Sequence, residues 1–171
     1  VNPKKYKDLV YDIIGAALKV HHEMNWGLLE ALYAEAMHIE LELMGITSQL
    51  EVELPCYYKG RKMNKTYRAD LVVGDVMVEL KATSDIIPAH RAQLFNYMRL
   101  TRLPIGLIIN FGRPSLQGER YAFCQETNEC ILLDRNMDFL LPADSVPSYD
   151  DALRFSTSSS SISTSSFSSP Q

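Results

Sequence analysis

The sequence predicts one α/β domain, and three observations carry that prediction. Apolar residues recur at helical spacing near the start of the chain. Three β-rich runs follow close together, and a proline-opened helical stretch then leads into an unbroken apolar run suited to a central strand. With 171 residues, 46% hydrophobic and 22% charged, the chain is long enough to bury one core and too short for two full enzyme domains.

The elements follow in order. Leu9, Ile13, Ala17, Val20 and Met24, widened by Val10, Ile14 and Leu18, form the apolar stripe of a core-facing helix over about residues 5–24. Gly27 interrupts after Asn25-Trp26, and a second helix is predicted from about Leu28 to Met44, with Gly45 suited to the C-terminal cap. Residues 50–58 alternate apolar and acidic and then turn aromatic, as in a strand, with Pro55 requiring an edge or a bulge. Thr66 to Val73 and Val76 to Ala82 are two more strands around Gly74-Asp75, a tight-hairpin combination. Thr83-Ser84-Asp85 and Pro88 open a helix over Pro88 to Thr101. Pro104 to Phe111 is the buried strand, and Tyr121 to Cys124 with Cys130 to Leu133 form a last short hairpin. The order through Phe111 is α-α-β-β-β-α-β. The domain is expected to occupy residues 1–142. Residues 143–171, dominated by serine and threonine, cannot build a core and are expected to be a disordered tail.

No apolar run approaches the ~20 residues that span a bilayer, and Val1-Asn2-Pro3-Lys4-Lys5-Tyr6 leads into an amphipathic pattern and not into a signal-peptide core. The expectation is a soluble cytoplasmic protein without a membrane partner. Cys56, Cys124 and Cys130 are odd in number and lack C-x-x-C spacing, so they read as reduced thiols and not as a zinc site. A net charge of −4 gives no global attraction to nucleic acid. Binding would have to use a metal ion or the local run Lys59, Arg61, Lys62, Lys65 and Arg68, which otherwise reads as a solvated hairpin.

The chemistry concentrates on the hairpin at Gly74-Asp75. Pairing outward from that turn sets Val73 opposite Val76 and then Asp70 opposite Glu79, with β-carbons about 5 Å apart. Like charges so placed are destabilising unless something positive sits between them. Glu79 and Lys81 share a face, so an ammonium joins the two acids. Leu71, Val73, Val76, Val78 and Leu80 make the hairpin a core element, where charges require pairing or a metal. The competing reading is an ordinary exposed face on which Lys81 neutralises the acids. Two carboxylates with a lysine suit phosphodiester hydrolysis by a magnesium-activated water, with Mn²⁺ as a substitute, because hard oxygen donors favour these ions over zinc.

Asp70 followed by Glu79-Leu80-Lys81 resembles the D…(D/E)-x-K signature of the PD-(D/E)XK nucleases. Gly27-Leu28-Leu29-Glu30-Ala31-Leu32-Tyr33 resembles the G-x-x-E-x-x-Y motif of a group in that superfamily, and Asn110-Phe111-Gly112 is similar to the same group. Ala69 stands where the superfamily name has proline. The resemblance, over about residues 5–113, implies a restriction-endonuclease-like αβββαβ core with a mixed central sheet flanked by helices. It also implies Asp70, Glu79, Leu80 and Glu30 at the metal and Lys81 as catalytic lysine.

Glu30 falls between Met37 and Leu41 on a helical wheel, inside the apolar sector, which fits an acid turned toward a metal. Glu40 also falls there without such a reason. Tyr33 reads as core packing with a bonded hydroxyl. Gln93 and Tyr97, four apart on one helix face, resemble the Q-x-x-x-Y element of RecB-like nucleases, which implies a catalytic role for Gln93 and a nucleic-acid contact for Tyr97; a helix-packing pair is the alternative. His21 lies on the apolar half of its helix and reads as a satisfied core histidine, although RecB-like enzymes use an upstream histidine as a ligand. Lys62, Arg68 and Arg91 are candidate phosphate contacts, as are Arg99 and Arg102. The leading expectation is a Mg²⁺-dependent nuclease acting on DNA, with RNA not excluded and a homodimer possible. The alternative is a catalytically silent nuclease-fold module that binds nucleic acid or regulates.

Overall fold

The computed structural model of the protein describes residues 1–140, so the Ser/Thr-rich stretch and the boundary at 142 lie outside the described residues. A short 3₁₀ turn, Pro3–Tyr6, leads into α1 (Lys7–Met24), followed by α2 (Glu30–Leu43), β1 (Gln49–Tyr58), β2 (Arg61–Val73) and β3 (Val76–Lys81). Then come α3 (Pro88–Thr101), β4 (Ile105–Asn110), β5 (Gln117–Cys124) and β6 (Glu129–Leu133). Six strands form one sheet in chain order. All pairs are antiparallel except β3 with β4, which are parallel because α3 carries the chain back between them. This is the mixed sheet with flanking helices of the restriction-endonuclease-like expectation.

Helices cover both faces. Val10, Ile13, Ala17 and Val20 of α1 and Tyr33, Met37 and Leu41 of α2 pack on Leu71, Val73, Val78, Leu80, Leu107 and Ile109. On the other face Leu94, Tyr97 and Met98 of α3 pack on Ala69, Met77, Ile108, Tyr121 and Phe123. The alternation along β3 and β4 thus serves two cores, and every residue of both strands is buried. α2 ends as expected: Gly45, at φ +77, donates to the Glu42 carbonyl and Ile46 to that of Leu41, a Schellman arrangement that a left-handed residue permits. Glu40, unexplained on the wheel, is ion-paired with Lys19 of α1 at 3.3 Å.

The differences from expectation are at the ends of elements. α2 begins at Glu30, so Leu28 and Leu29 belong to the turn. β2 starts five residues earlier than Thr66 and pairs with β1 out to Tyr58 opposite Arg61, and β5 begins at Gln117. Polar sequence hides such strand, because backbone pairing continues where no core demands alternation. Pro55 brings both anticipated consequences: β1 is an edge strand, and its register with β2 shifts between Pro55 and Tyr57. Among the described residues no helix is long and apolar enough to cross a membrane.

Candidate active site

β2 and β3 pair as Val73 with Val76, Val72 with Met77 and Leu71 with Val78, which brings Asp70 opposite Glu79. At that level side chains take over from the ladder. Leu80 N–H donates to Asp70 Oδ2 at 2.8 Å, and Asp70 N–H reaches Glu79 Oε1 at 3.4 Å. The N–H and C=O of one strand residue point to the same edge, so the Leu80 carbonyl also faces the gap beside Asp70. The Leu80 side chain lies in the opposite core, which leaves only this main-chain oxygen as a donor to any cation.

A departure in β1 accompanies the gap. Leu50 and Leu71 pack toward α1 and α2, whereas Val52 and Ala69, two residues along each strand, pack toward α3. The reversal occurs at Glu51, which holds φ +48 beside Asp70, a left-handed conformation costing about 1–2 kcal/mol for a non-glycine residue. The regular Leu-Glu-Val-Glu alternation carries no sign of it.

The electrostatics follow from burial. Glu79 is fully buried, and its Oε2 receives no hydrogen bond. Desolvation, with the nearby Asp70 charge second, pushes Glu79 up to about 9, so without a cation the acid pair keeps a proton at neutral pH. Desolvation also raises Asp70, against the Leu80 N–H and Lys81 that hold it down. Lys81 is 8% exposed and donates from Nζ to Gln93 Oε1 at 2.9 Å. Gln93 Nε2 in turn donates to the Tyr97 hydroxyl at 2.9 Å. Glu30, in the first turn of α2, is half-buried and accepts from the Ala82 N–H; desolvation raises it too, while Lys81 lowers it and Asp70 adds to the rise. Four chain segments therefore bring Glu30, Asp70, Glu79, Lys81 and Gln93 together.

The G-x-x-E-x-x-Y run explains how Glu30 gets there. The Tyr33 hydroxyl donates to the Asn25 carbonyl at 2.6 Å and accepts from Leu28 N–H at 3.1 Å, pinning the α1–α2 turn. Its fully buried ring stacks on Phe111 at 4.5 Å, and Phe111 N–H donates to the Lys81 carbonyl. Asn110 is a latch that the sequence showed only as part of a motif. Its Oδ1 accepts from Thr83 and Gly112 N–H, and its Nδ2 donates to the Thr83 carbonyl and to Gln117. A side chain at position 112 would collide with the backbone of Ala82 and Thr83, so only glycine lets the chain pass the end of β3.

Other candidates are placed elsewhere. Arg91 is not a phosphate contact: its Nε and Nη2 bind the two carboxylate oxygens of buried Glu119 at 2.8 and 2.6 Å, because α3 turns this residue onto the sheet. Tyr97 is only 4% exposed, so a direct nucleic-acid contact gives way to packing against Tyr67 and support of Gln93. Arg99 and Arg102 are at the far end of α3, Arg99 on the Asn128 carbonyl and Arg102 over Phe123. The His21 ring Nε2 is 2.8 Å from the Arg113 carbonyl, which satisfies it as a core histidine. Lys62 and Arg68 are exposed on β2, Arg68 within 3.8 Å of Glu51. All three cysteines are free thiols.

Among the described residues no three acidic, histidine or cysteine side chains converge as a closed metal cage. A pair of carboxylates with one main-chain oxygen suits magnesium, which keeps several waters and is held through one or two carboxylates. The buried Glu79 oxygen without a donor, beside Asp70, is where such an ion would fit. A family model described as the PD-(D/E)XK nuclease superfamily matches residues 7–121. No curated protein and no solved structure matches the chain.

Proposed function

The chain belongs to the PD-(D/E)XK nuclease superfamily, and from that premise we propose that it is a Mg²⁺-dependent nuclease that hydrolyses phosphodiester bonds of DNA. The observation that carries this reading is the fully buried Glu79 carboxylate beside Asp70, with one oxygen that receives no hydrogen bond and Lys81 held alongside. Asp70, Glu79 and the Leu80 carbonyl would hold the ion, with Glu30 at one remove through water. An ion held there would supply polarisation of the phosphate and a lowered pKa for a bound water. Lys81 spends one of its three donors on Gln93 and keeps the others for the attacking water and the charge that develops on the phosphate. Gln93 and Tyr97 position Lys81, and Tyr33 with Asn110 fixes the turns from which Glu30 and Lys81 project. The Gly27, Glu30 and Tyr33 pattern supports membership of the G-x-x-E-x-x-Y group, since each of the two side chains has a distinct task.

The test is a cleavage panel of single-stranded, duplex and branched DNA, with RNA beside it, in Mg²⁺ or Mn²⁺. Wild type should cut at least one substrate, and Asp70→Ala and Lys81→Ala should not. A wild type that cuts none of them, or variants that cut as well as wild type, would sink the reading. The acidic net charge of −4 and the two-carboxylate site favour one alternative, a silent nuclease-fold module. Titration calorimetry showing metal and nucleic-acid binding without cleavage would select it. A homodimer has its support in α2, whose exposed Leu32, Ile39 and Leu43 fall at heptad spacing on one face. Sedimentation of wild type against Leu32→Glu/Ile39→Glu reads this out, with a wild-type monomer counting against it.

A further inference from the structure

The β1–β2 ribbon is unlike the rest of the sheet. Residues 61–68 of β2 are exposed at every position, and on β1 only Leu54 and Cys56 are buried in the part of the ribbon that pairs with them. From Leu54 to Tyr67 there is no acidic residue, while Lys59, Arg61, Lys62 and Lys65 stand together in a chain of net charge −4. Among the described residues none of these four cations is in an ion pair, and Lys59 is placed over the Tyr58 ring. Exposed rings alternate with them: Tyr57 is 61% and Tyr67 48% accessible. The two-residue mismatch between Pro55 and Tyr57 lies opposite Met63 to Lys65, so β2 carries its extra residues next to Arg61 and Lys62.

The foot of the ribbon is joined to the acid pair. Tyr67 packs on Tyr97 with ring centroids 5.3 Å apart, Tyr97 is bonded to Gln93, and Gln93 holds Lys81. Three side-chain contacts thus link the foot of the ribbon to Lys81.

We propose that this ribbon docks an unpaired nucleic-acid strand, with Lys59, Arg61, Lys62 and Lys65 on its phosphates and Tyr57 and Tyr67 stacked on its bases. The cations match a polyanion, and the accessible rings select an unpaired strand because bases stacked inside a duplex offer no free face. The destination of the strand rests on the nuclease reading; its binding to the ribbon does not. A net-negative protein needs such a segment, since only a local patch attracts phosphate.

The experiment is fluorescence anisotropy of the full chain with a fluorescein-labelled oligothymidylate and with a labelled duplex of equal length, in EDTA so that nothing is cut. The single strand should bind more tightly, and its affinity should fall with salt. Lys62→Glu/Lys65→Glu should weaken it at least about tenfold and flatten the logarithmic salt slope by about 0.7 per lysine. Tyr57→Ala, at a ring that touches no other ring, should cost about 5- to 150-fold on the single strand and little on the duplex. Unchanged melting temperatures for these exposed-site variants show that the fold is intact. Variants that bind like wild type, a preference for duplex, or an equal loss on both probes for Tyr57→Ala would overturn the proposal. Binding lost in the variants while wild type cleaves nothing leaves the ribbon standing and removes the nuclease reading. Cleavage by wild type with ribbon variants bound as tightly does the reverse.

Discussion

Two buried ionic clusters face the same helix α3 and differ in one respect. Around Arg91 the account closes: both Glu119 oxygens accept from the guanidinium, and the Tyr121 hydroxyl adds a third bond at 2.6 Å. Burial works against the Arg91 charge, but the bonds and charge of Glu119 outweigh it and raise Arg91 above its ordinary value. Around Asp70 and Glu79 the account stays open, with two acids, one lysine shared with Gln93 and an oxygen that no donor reaches. A closed cluster holds a fold together; an open one leaves buried charge for a proton or a cation to balance. The open cluster was legible in the sequence from the register of the hairpin, whereas Arg91 read only as a candidate phosphate contact.

Breaking the closed cluster should have the largest effect on stability. Arg91→Ala leaves Glu119 buried without its partner and should cost about 3–5 kcal/mol in denaturant unfolding. A loss below about 1 kcal/mol, the range of an exposed pair, would mean that the pair is not structural. In the open cluster the balance is reversed. Lys81→Ala should lower kcat about 10²–10³-fold with a smaller loss of stability than Arg91→Ala, because the acid pair already keeps a proton at neutral pH and leaves less charge for Lys81 to balance. A variant that loses as much stability as Arg91→Ala would erase the distinction.

Tyr33→Phe sharpens the comparison from the scaffold side. It strands the Leu28 N–H and the Asn25 carbonyl, so about 1–3 kcal/mol of stability should be lost, with weaker metal binding because Glu30 is no longer held. Unaltered unfolding would show the turn to be held by packing alone.

The last effect is read as a slope against pH and not as a single loss. Glu79 has its folded pKa, about 9, above the ordinary 4.5, so the folded state binds the extra proton between them. That contribution is fully present below about 4.5 and is lost as pH rises through about 9. Melting of the metal-free protein should therefore fall across that range, and Glu79→Gln or millimolar Mg²⁺ should flatten the slope. Magnesium binding near neutral pH should release about one proton, measurable by calorimetry in buffers of different ionisation enthalpy. A melting temperature that climbs with pH contradicts the assignment of the proton to the acid pair.

What the sequence determined by itself was local or periodic: the two-layer helical stripes, the meander, the Gly74-Asp75 turn and hence Asp70 opposite Glu79. A two-residue turn leaves one register, and that register follows from counting. The Tyr33 reading, core packing with a bonded hydroxyl, was legible for the same reason, since its partners Asn25 and Leu28 lie within the adjoining turn. Tertiary structure alone decided the fates of residues whose partners are remote in the chain. Arg91 meets Glu119, His21 meets the Arg113 carbonyl, and Asn110 ties Thr83 to Gln117, all pairings that no helical wheel contains. It also turned Glu51 left-handed and left the ribbon bare. Short-range pattern records which face a residue prefers; only the closed fold shows whether its charge has been matched.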